Sequence, residues 1–201
     1  MRLYDYAASA NCLKVRLALG LLALDYERVP VDIFADRGPL GQLNPAVRTP
    51  VLKLDSGDAI AESNAILLYL ADGTELLPGD RLDRARVHQW LFFEQNLLEP
   101  SVGSARFWHL TGRDRARPEV YERFLEVGAS ALEALARGLD DRDFIVGDRL
   151  TVADLSLYAY THVAPDAGLD PPTPVPAWLA RVDEQVRPWY DLEPYPENAR
   201  S

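Results

Sequence analysis

The apolar pattern changes period repeatedly over the first seventy or so residues and then stops changing, so no single-class fold suits both parts of the chain. Residues 2–6 read as a short strand with Leu3 inside. Residues 11–24 follow, with Leu13, Leu17 and Leu21 four apart, the spacing of one helical stripe. Residues 26–31 return to period two. Residues 32–44, holding Gly38, Pro39 and Gly41, are irregular, with room for one helical turn. A hairpin over 51–54 and 59–61 turns at Asp55-Ser56-Gly57-Asp58, and 62–71 is a third helix. In the order β-α-β-α-β-β-α, strands joined through a helix run parallel with a right-handed crossover. The reading is a small α/β domain.

Residues 72–80, with Gly73, Pro78 and Gly79, mark a linker, and beyond them the pattern is helical only. Val87, Trp90, Leu91, Leu97, Leu98 and Val102 keep helical spacing, with Pro100 marking a kink. Val120, Phe124, Val127, Ala131 and Leu135 make another helix, ending near Gly138. Thr151-Val152-Ala153-Asp154 is a capping box ahead of a helix carrying Leu155, Ala159 and Val163. Residues 176–186 form the last helix, and the polar tail after Pro188 is expected to be loosely held. The expected domains are 1–73 and, all-helical, 82–201.

At 201 residues either domain can bury a core, and a 48% hydrophobic content is that of a globular protein. A net charge of −10 argues against nucleic acid and anionic membrane surfaces as partners. No run approaches the roughly 18 apolar residues of a membrane span. The single Cys12 rules out an internal disulfide and suits a reducing cytoplasm. His88, His109 and His162 share no ligand spacing, so no metal is expected.

Chemistry is concentrated in three short stretches. Arg48-Thr49-Pro50-Val51-Leu52 puts a proline at the start of a strand, where it has no N–H for the ladder. A cis Thr49–Pro50 bond is expected there, leaving the Thr49 backbone to pair with an extended peptide. Glu62-Ser63 opens a helix whose free N–H groups can hold a carboxylate. Together they suit a small acidic peptide, although an edge proline and a solvated helix start fit equally well. Ser9-Ala10-Asn11-Cys12 lies at the first helix's N-terminus, where the dipole favours an anion and a hydroxyl can donate to a thiolate. Ser and Asn are also the usual caps, and a lone cysteine is often a small buried hydrophobe.

The run from Ser9 to Leu19 resembles the opening signature of glutathione transferases whose active residue is serine. Residues 44–52 and 62–70 are similar to that family's two glutathione-binding motifs, and 147–157 to its helical capping box. The family usually has Gln-Val before the proline, where this chain has Arg48-Thr49. The resemblance implies a thioredoxin-like first domain, an all-α second domain, and a cytoplasmic homodimer that detoxifies electrophiles. It further implies that Thr49, followed by Pro50, pairs its backbone with the cysteinyl unit of glutathione. Ser63 then holds the γ-glutamyl carboxylate, Glu62 lies near the amine, and Arg48 meets the glycyl carboxylate. Ser9 donates to the sulfur, supported by Asn11 and Cys12. The hydrophobic electrophile binds in a cleft between domains, for which Phe92, Phe93, Phe107 and Trp108 are candidates; core or dimer contact suits these aromatics as well.

The energetics are adequate for such a mechanism. Lowering a thiol pKa from near 8.5 by about two units favours the anion by about 2.7 kcal/mol. One charge-assisted hydrogen bond supplies roughly 1.5–3 kcal/mol and a helix terminus about 0.3–1 kcal/mol. Two other classes of function stay open: a glutathione-dependent redox enzyme, since Ser9 to Cys12 has Cys-x-x-Cys spacing, and a non-catalytic binding module.

Overall fold

The computed structural model describes residues 1–35 and 40–200, so Gly38 and Pro39 of the stretch expected to be irregular lie outside the described residues. Contacts divide the chain into two compact units.

The first unit comprises Met1–Asp72 together with Val186–Pro194. Its four-stranded sheet has the order β2-β1-β3-β4, from β1 (Arg2–Asp5), β2 (Glu27–Pro30), β3 (Val51–Lys53) and β4 (Ala59–Ala61). β1 runs parallel to β2, with Leu3 opposite Arg28, and antiparallel to β3, with Leu3 opposite Leu52. The parallel pair is joined through α1 (Ala10–Leu21), as the change of period requires. α2 (Leu40–Leu43) is the single expected turn, and α3 (Ser63–Ala71) packs on α1 and on the β3–β4 hairpin.

α1 departs from the one-stripe expectation. Ala10 and every residue from Cys12 to Leu19 are buried, including Lys14 and Arg16. A helix covered on nearly all sides needs no polar face, and its two cations are held by partners inside the protein. The tail is also a correction. Trp189, in a short 3-10 turn (Arg187–Trp189), lies so close to α1 that a Cβ at Gly20 would overlap its indole ring. The Glu193 N–H donates to the Ala7 carbonyl at 3.2 Å, and Asp191 accepts from Arg16 at 2.5 Å and Arg28 at 2.9 Å. Polarity after Pro188 therefore marks ion pairing with the first unit rather than a loose end.

The second unit comprises Gly73–Gln185 and Tyr195–Ser201. It is helical: α4 (Arg81–Phe93), α5 (Ser104–Thr111), α6 (Pro118–Leu139), α7 (Val152–Thr161) and α8 (Val175–Val186, its last residue grouped with the first unit). Pro100 does not break the chain as an α-helical proline would. It sits inside a π-helical stretch, Glu94–Gly103, that continues α4 into α5, where wider turns accommodate the missing N–H. The capping box is present at the start of α7. Asp154 is wholly buried and accepts from the Ile145 N–H, the Thr151 N–H and hydroxyl, each at 2.9 Å, and the Trp178 indole at 3.0 Å. Four donors on one carboxylate tie α7, α8 and the preceding loop together. No helix among the described residues is long and apolar enough to cross a membrane.

Candidate functional site

Ser9 is the N-cap of α1, and its Oγ accepts from the Cys12 N–H at 3.3 Å. The capping role expected of it is real, yet it does not exhaust the group. A hydroxyl accepts through lone pairs and keeps one hydrogen to give. Ser9 is half-buried, so that hydrogen can reach a ligand at the helix start.

Cys12 is placed differently. It is fully buried, and its sulfur accepts from the Tyr6 N–H at 3.4 Å. Burial, reinforced by the nearby Asp5 charge, pushes the thiol up to about 12; hydrogen bonds to Tyr6, Ser9 and Thr49 pull the other way without offsetting it. Thr49 is thus brought beside the start of α1 from the loop that precedes β3. The Thr49–Pro50 bond is cis, as the sequence suggests. That loop is braced by Asn44, whose Oδ1 accepts from the Ala46 N–H at 2.9 Å and whose Nδ2 donates to the Arg48 carbonyl at 2.8 Å. The Arg48 side chain is exposed and makes no ion pair among the described residues.

Glu62 and Ser63 stand where β4 turns into α3. Glu62 is exposed and has φ 67° and ψ 115°, a region that a side chain with a Cβ rarely enters. Such a conformation costs of order 1–3 kcal/mol and persists where the surrounding structure holds it. Ser63 is buried, and its Oγ donates to Asn11 Oδ1 at 3.0 Å. Asn11 Oδ1 also accepts from Lys14 Nζ at 2.8 Å. The starts of α1 and α3 are therefore linked by side chains, which puts Ser9, Asn11, Thr49 and Ser63 at one corner of the first unit. Sequence reasoning missed Lys14 and the bracing role of Asn44. A signal for Lys14 was available: it is one of only two lysines among 21 basic residues and lies within an apolar helix.

The predicted aromatic residues belong to the second unit. Phe107 meets Tyr195 edge-on at 5.4 Å and lies 4.8 Å from the Arg113 guanidinium. Trp108 meets Phe124 of α6 edge-on at 5.3 Å. Phe93 packs edge-on against Trp90 at 5.0 Å, whereas Phe92 is 73% exposed. Arg106 is buried, pairs with Asp166 at 2.9 Å and lies over the Tyr195 ring. Among the described residues no cluster of three or more His, Cys, Asp or Glu could hold a metal.

Known proteins resemble this chain in sequence and fold. The family model for the glutathione S-transferase N-terminal domain matches residues 3–75, and that for the C-terminal domain matches residues 118–192. The chain is 38% identical over 173 residues to a maleylacetoacetate isomerase of Rhizobium meliloti, covering 81% of this chain and 80% of that one. It is 42% identical to a crystal structure described as a possible glutathione S-transferase from Rhodopseudomonas palustris, with a TM-score of 0.89 over 97% of this chain and 90% of that one. A glutathione transferase family member from Pseudomonas fluorescens, solved with two glutathione bound, is 25% identical with a TM-score of 0.83, over 96% of this chain and 92% of that one. The chain is an enzyme of the glutathione S-transferase family, with a thioredoxin-like first domain and an all-α second one.

Proposed function

We propose that this enzyme binds glutathione on its first unit and adds the thiolate to a small hydrophobic electrophile, with Ser9 donating a hydrogen bond to the sulfur. The observation that carries this reading is the corner at which Ser9, Asn11, Thr49 and Ser63 converge. In this reading the Thr49 backbone pairs with the cysteinyl unit beside Pro50. Because Ser63 gives its hydroxyl hydrogen to Asn11, it offers the γ-glutamyl carboxylate its backbone N–H at the start of α3. Glu62 faces the amine. Arg48, exposed and without an ion pair among the described residues, grips the glycyl carboxylate through its guanidinium fork. Phe107 and Trp108 contribute apolar surface for the electrophile. The working form is a cytoplasmic homodimer, a reading supported by the exposed Phe92.

The relatives named maleylacetoacetate isomerase favour a second reading that shares the first step. A thiolate adding to a conjugated double bond turns it into a single bond. After rotation, expulsion of the same thiolate restores the double bond in its other geometry. Glutathione is consumed in the transferase reading and regenerated in this one, so its concentration during turnover separates them.

The state of Cys12 counts against a redox role. A buried thiol held near 12 is not a nucleophile at neutral pH. In the native protein Cys12 should resist alkylation and form no mixed disulfide with glutathione; labelling at the rate of a free thiol would restore the redox reading.

The test is the ultraviolet thiolate absorbance of bound glutathione, titrated in wild type and Ser9→Ala. The wild type should ionise well below the free thiol's value of about 8.5, and Ser9→Ala should raise that value by about 1–2 units. A bound thiol that ionises as it does in free solution would remove the catalytic reading and leave a binding module.

A further inference from the structure

The segment after α8 runs along α1 from the end of that helix to its beginning. Trp189 covers Gly20 in the last turn, so closely that a Cβ there would fall 2.3 Å from the indole ring. Asp191 accepts from Arg16 Nε at 2.5 Å, and the Glu193 N–H donates to the Ala7 carbonyl at 3.2 Å, just ahead of the helix. These contacts fall on every second residue, the period of an extended chain. Ala7 is a central residue of the turn that carries the chain from β1 to Ser9, a turn closed by the Ser9 N–H on the Tyr6 carbonyl at 2.9 Å. Turn types differ chiefly in the orientation of their central peptide, which the closing hydrogen bond does not fix. Ala7 and Ala8 have no polar side chain to fix it either. Its direction is set from outside, because the Ala7 carbonyl accepts from Glu193 and, at 3.3 Å, from Arg16 Nη2. Arg16 is in turn held by Asp5 and by Asp191 of the same segment.

We propose that residues 187–194 are a positioning strap: by fixing the Ala7 carbonyl they set where the Ser9 hydroxyl stands, and so how well it favours a bound thiolate. The inference rests on the glutathione-binding reading above and deepens it by naming residues that act only through Ser9. The strap is lightly attached. All of its residues except Leu192 are exposed, and the Asp191 side chain is 43% exposed, so a few contacts rather than a core hold it. Such a segment opens at a lower free energy than the buried α1 does. Each opening takes one of the two donors from the Ala7 carbonyl and leaves the helix and the sheet in place. A hydrogen bond weakens steeply as its distance and angle depart from the best geometry, so a small displacement of the turn is enough to weaken the one from Ser9.

The experiment is the thiolate titration of bound glutathione, run beside its binding affinity and the rate of proteolysis within residues 186–194, in wild type, Gly20→Ala, Asp191→Ala and Glu193→Pro. Gly20→Ala supplies a better helix former and displaces the Trp189 ring without changing any charge. Glu193→Pro deletes the N–H given to Ala7. In each variant the segment should be cleaved about fivefold faster or more, and the bound thiol pKa should rise by about half a unit, with glutathione affinity within about threefold of wild type. Asp191→Ala and Glu193→Pro also remove an anion, which by itself would lower a thiol pKa, so a rise in either reports position rather than charge. A segment that only adds stability would give faster cleavage and a lower unfolding midpoint, with the bound thiol ionising as in wild type. A bound thiol that ionises as in wild type, or more readily, in Gly20→Ala and Asp191→Ala overturns the inference while Ser9 and the transferase reading stand. A wild-type protein that binds no glutathione overturns both.

Discussion

Lys14 and Arg16 are two residues apart on α1, both buried, and they face different parts of the first unit. Arg16 belongs to a closed ring of charges. Asp5 accepts from Arg16 at 2.6 Å and from the Arg28 Nε, and Asp191 accepts from the same two guanidiniums. Two cations meet two anions, in forks that suit carboxylates. Lys14 donates to Asn11 Oδ1 and to Ser63 Oγ, on the face of α1 that packs on α3. The ring joins β1, β2, α1 and the tail, and its task is cohesion. The Lys14 group links polar atoms at the starts of two helices. Helical geometry makes the separation possible, since residues two apart lie on different faces.

The largest test of that contrast is Asp5→Ala. It leaves the Arg16 guanidinium, whose side chain is 1% exposed, with half its carboxylate partners, at an expected cost of about 3–5 kcal/mol in urea unfolding. A loss below about 1 kcal/mol would mean that the ring is not what holds the first unit together.

A third buried base, His162, is kept neutral. Burial, helped by the Arg106 charge and opposed by the Tyr158 carbonyl, Asp166 and Asp183, lowers its pKa from 6.5 to about 4. Nδ1 lies 2.7 Å from the Tyr158 carbonyl, and the ring stacks on Tyr158 at 4.5 Å. Between those pH values the unfolded chain binds a proton that the folded one refuses, so stability falls as pH drops. The loss should approach about 3 kcal/mol by pH 4, and His162→Phe should flatten that slope.

Lys14→Met should cost less than either, about 1–2 kcal/mol, because it removes the hydrogen bonds to Asn11 and Ser63 and leaves an apolar chain of similar length. A cost equal to that of Asp5→Ala would erase the distinction between the two cations. Asp191→Asn should have the smallest effect, about 1 kcal/mol or less, because that carboxylate is 43% exposed. Its sharper signature is faster proteolysis of residues 186–194, the segment that Asp191 ties to α1 and β2.

Much of the fold was legible because its signals are local. The return to period two at β2, the Thr49–Pro50 bond before β3 and the Thr151–Asp154 capping box each depend on a few neighbouring residues. Ser9, Asn11, Thr49 and Ser63 were singled out from short motifs, and the structure links them at one corner. Cys12 shows the limit of such reasoning. Its place in the first turn of α1 suggested a role on the thiol, but a helix buried nearly all round turns the sulfur toward the Tyr6 backbone. Pro100 was singled out as an irregular point of the helix, but its form was not legible: a proline excludes regular α-helix, not the wider turns this chain uses there.

By itself the sequence determined the class of each half, the order of the strands along the chain and the residues that open its helices, since period, capping and proline chemistry act within a few positions. Only the tertiary structure decided what the buried cations meet. Lys14 reaches Ser63 across 49 residues and Arg16 reaches Asp191 across 175. What a buried charge meets depends on which distant segment packs over it, and that is set by the summed burial of the first unit rather than by any neighbour in the chain.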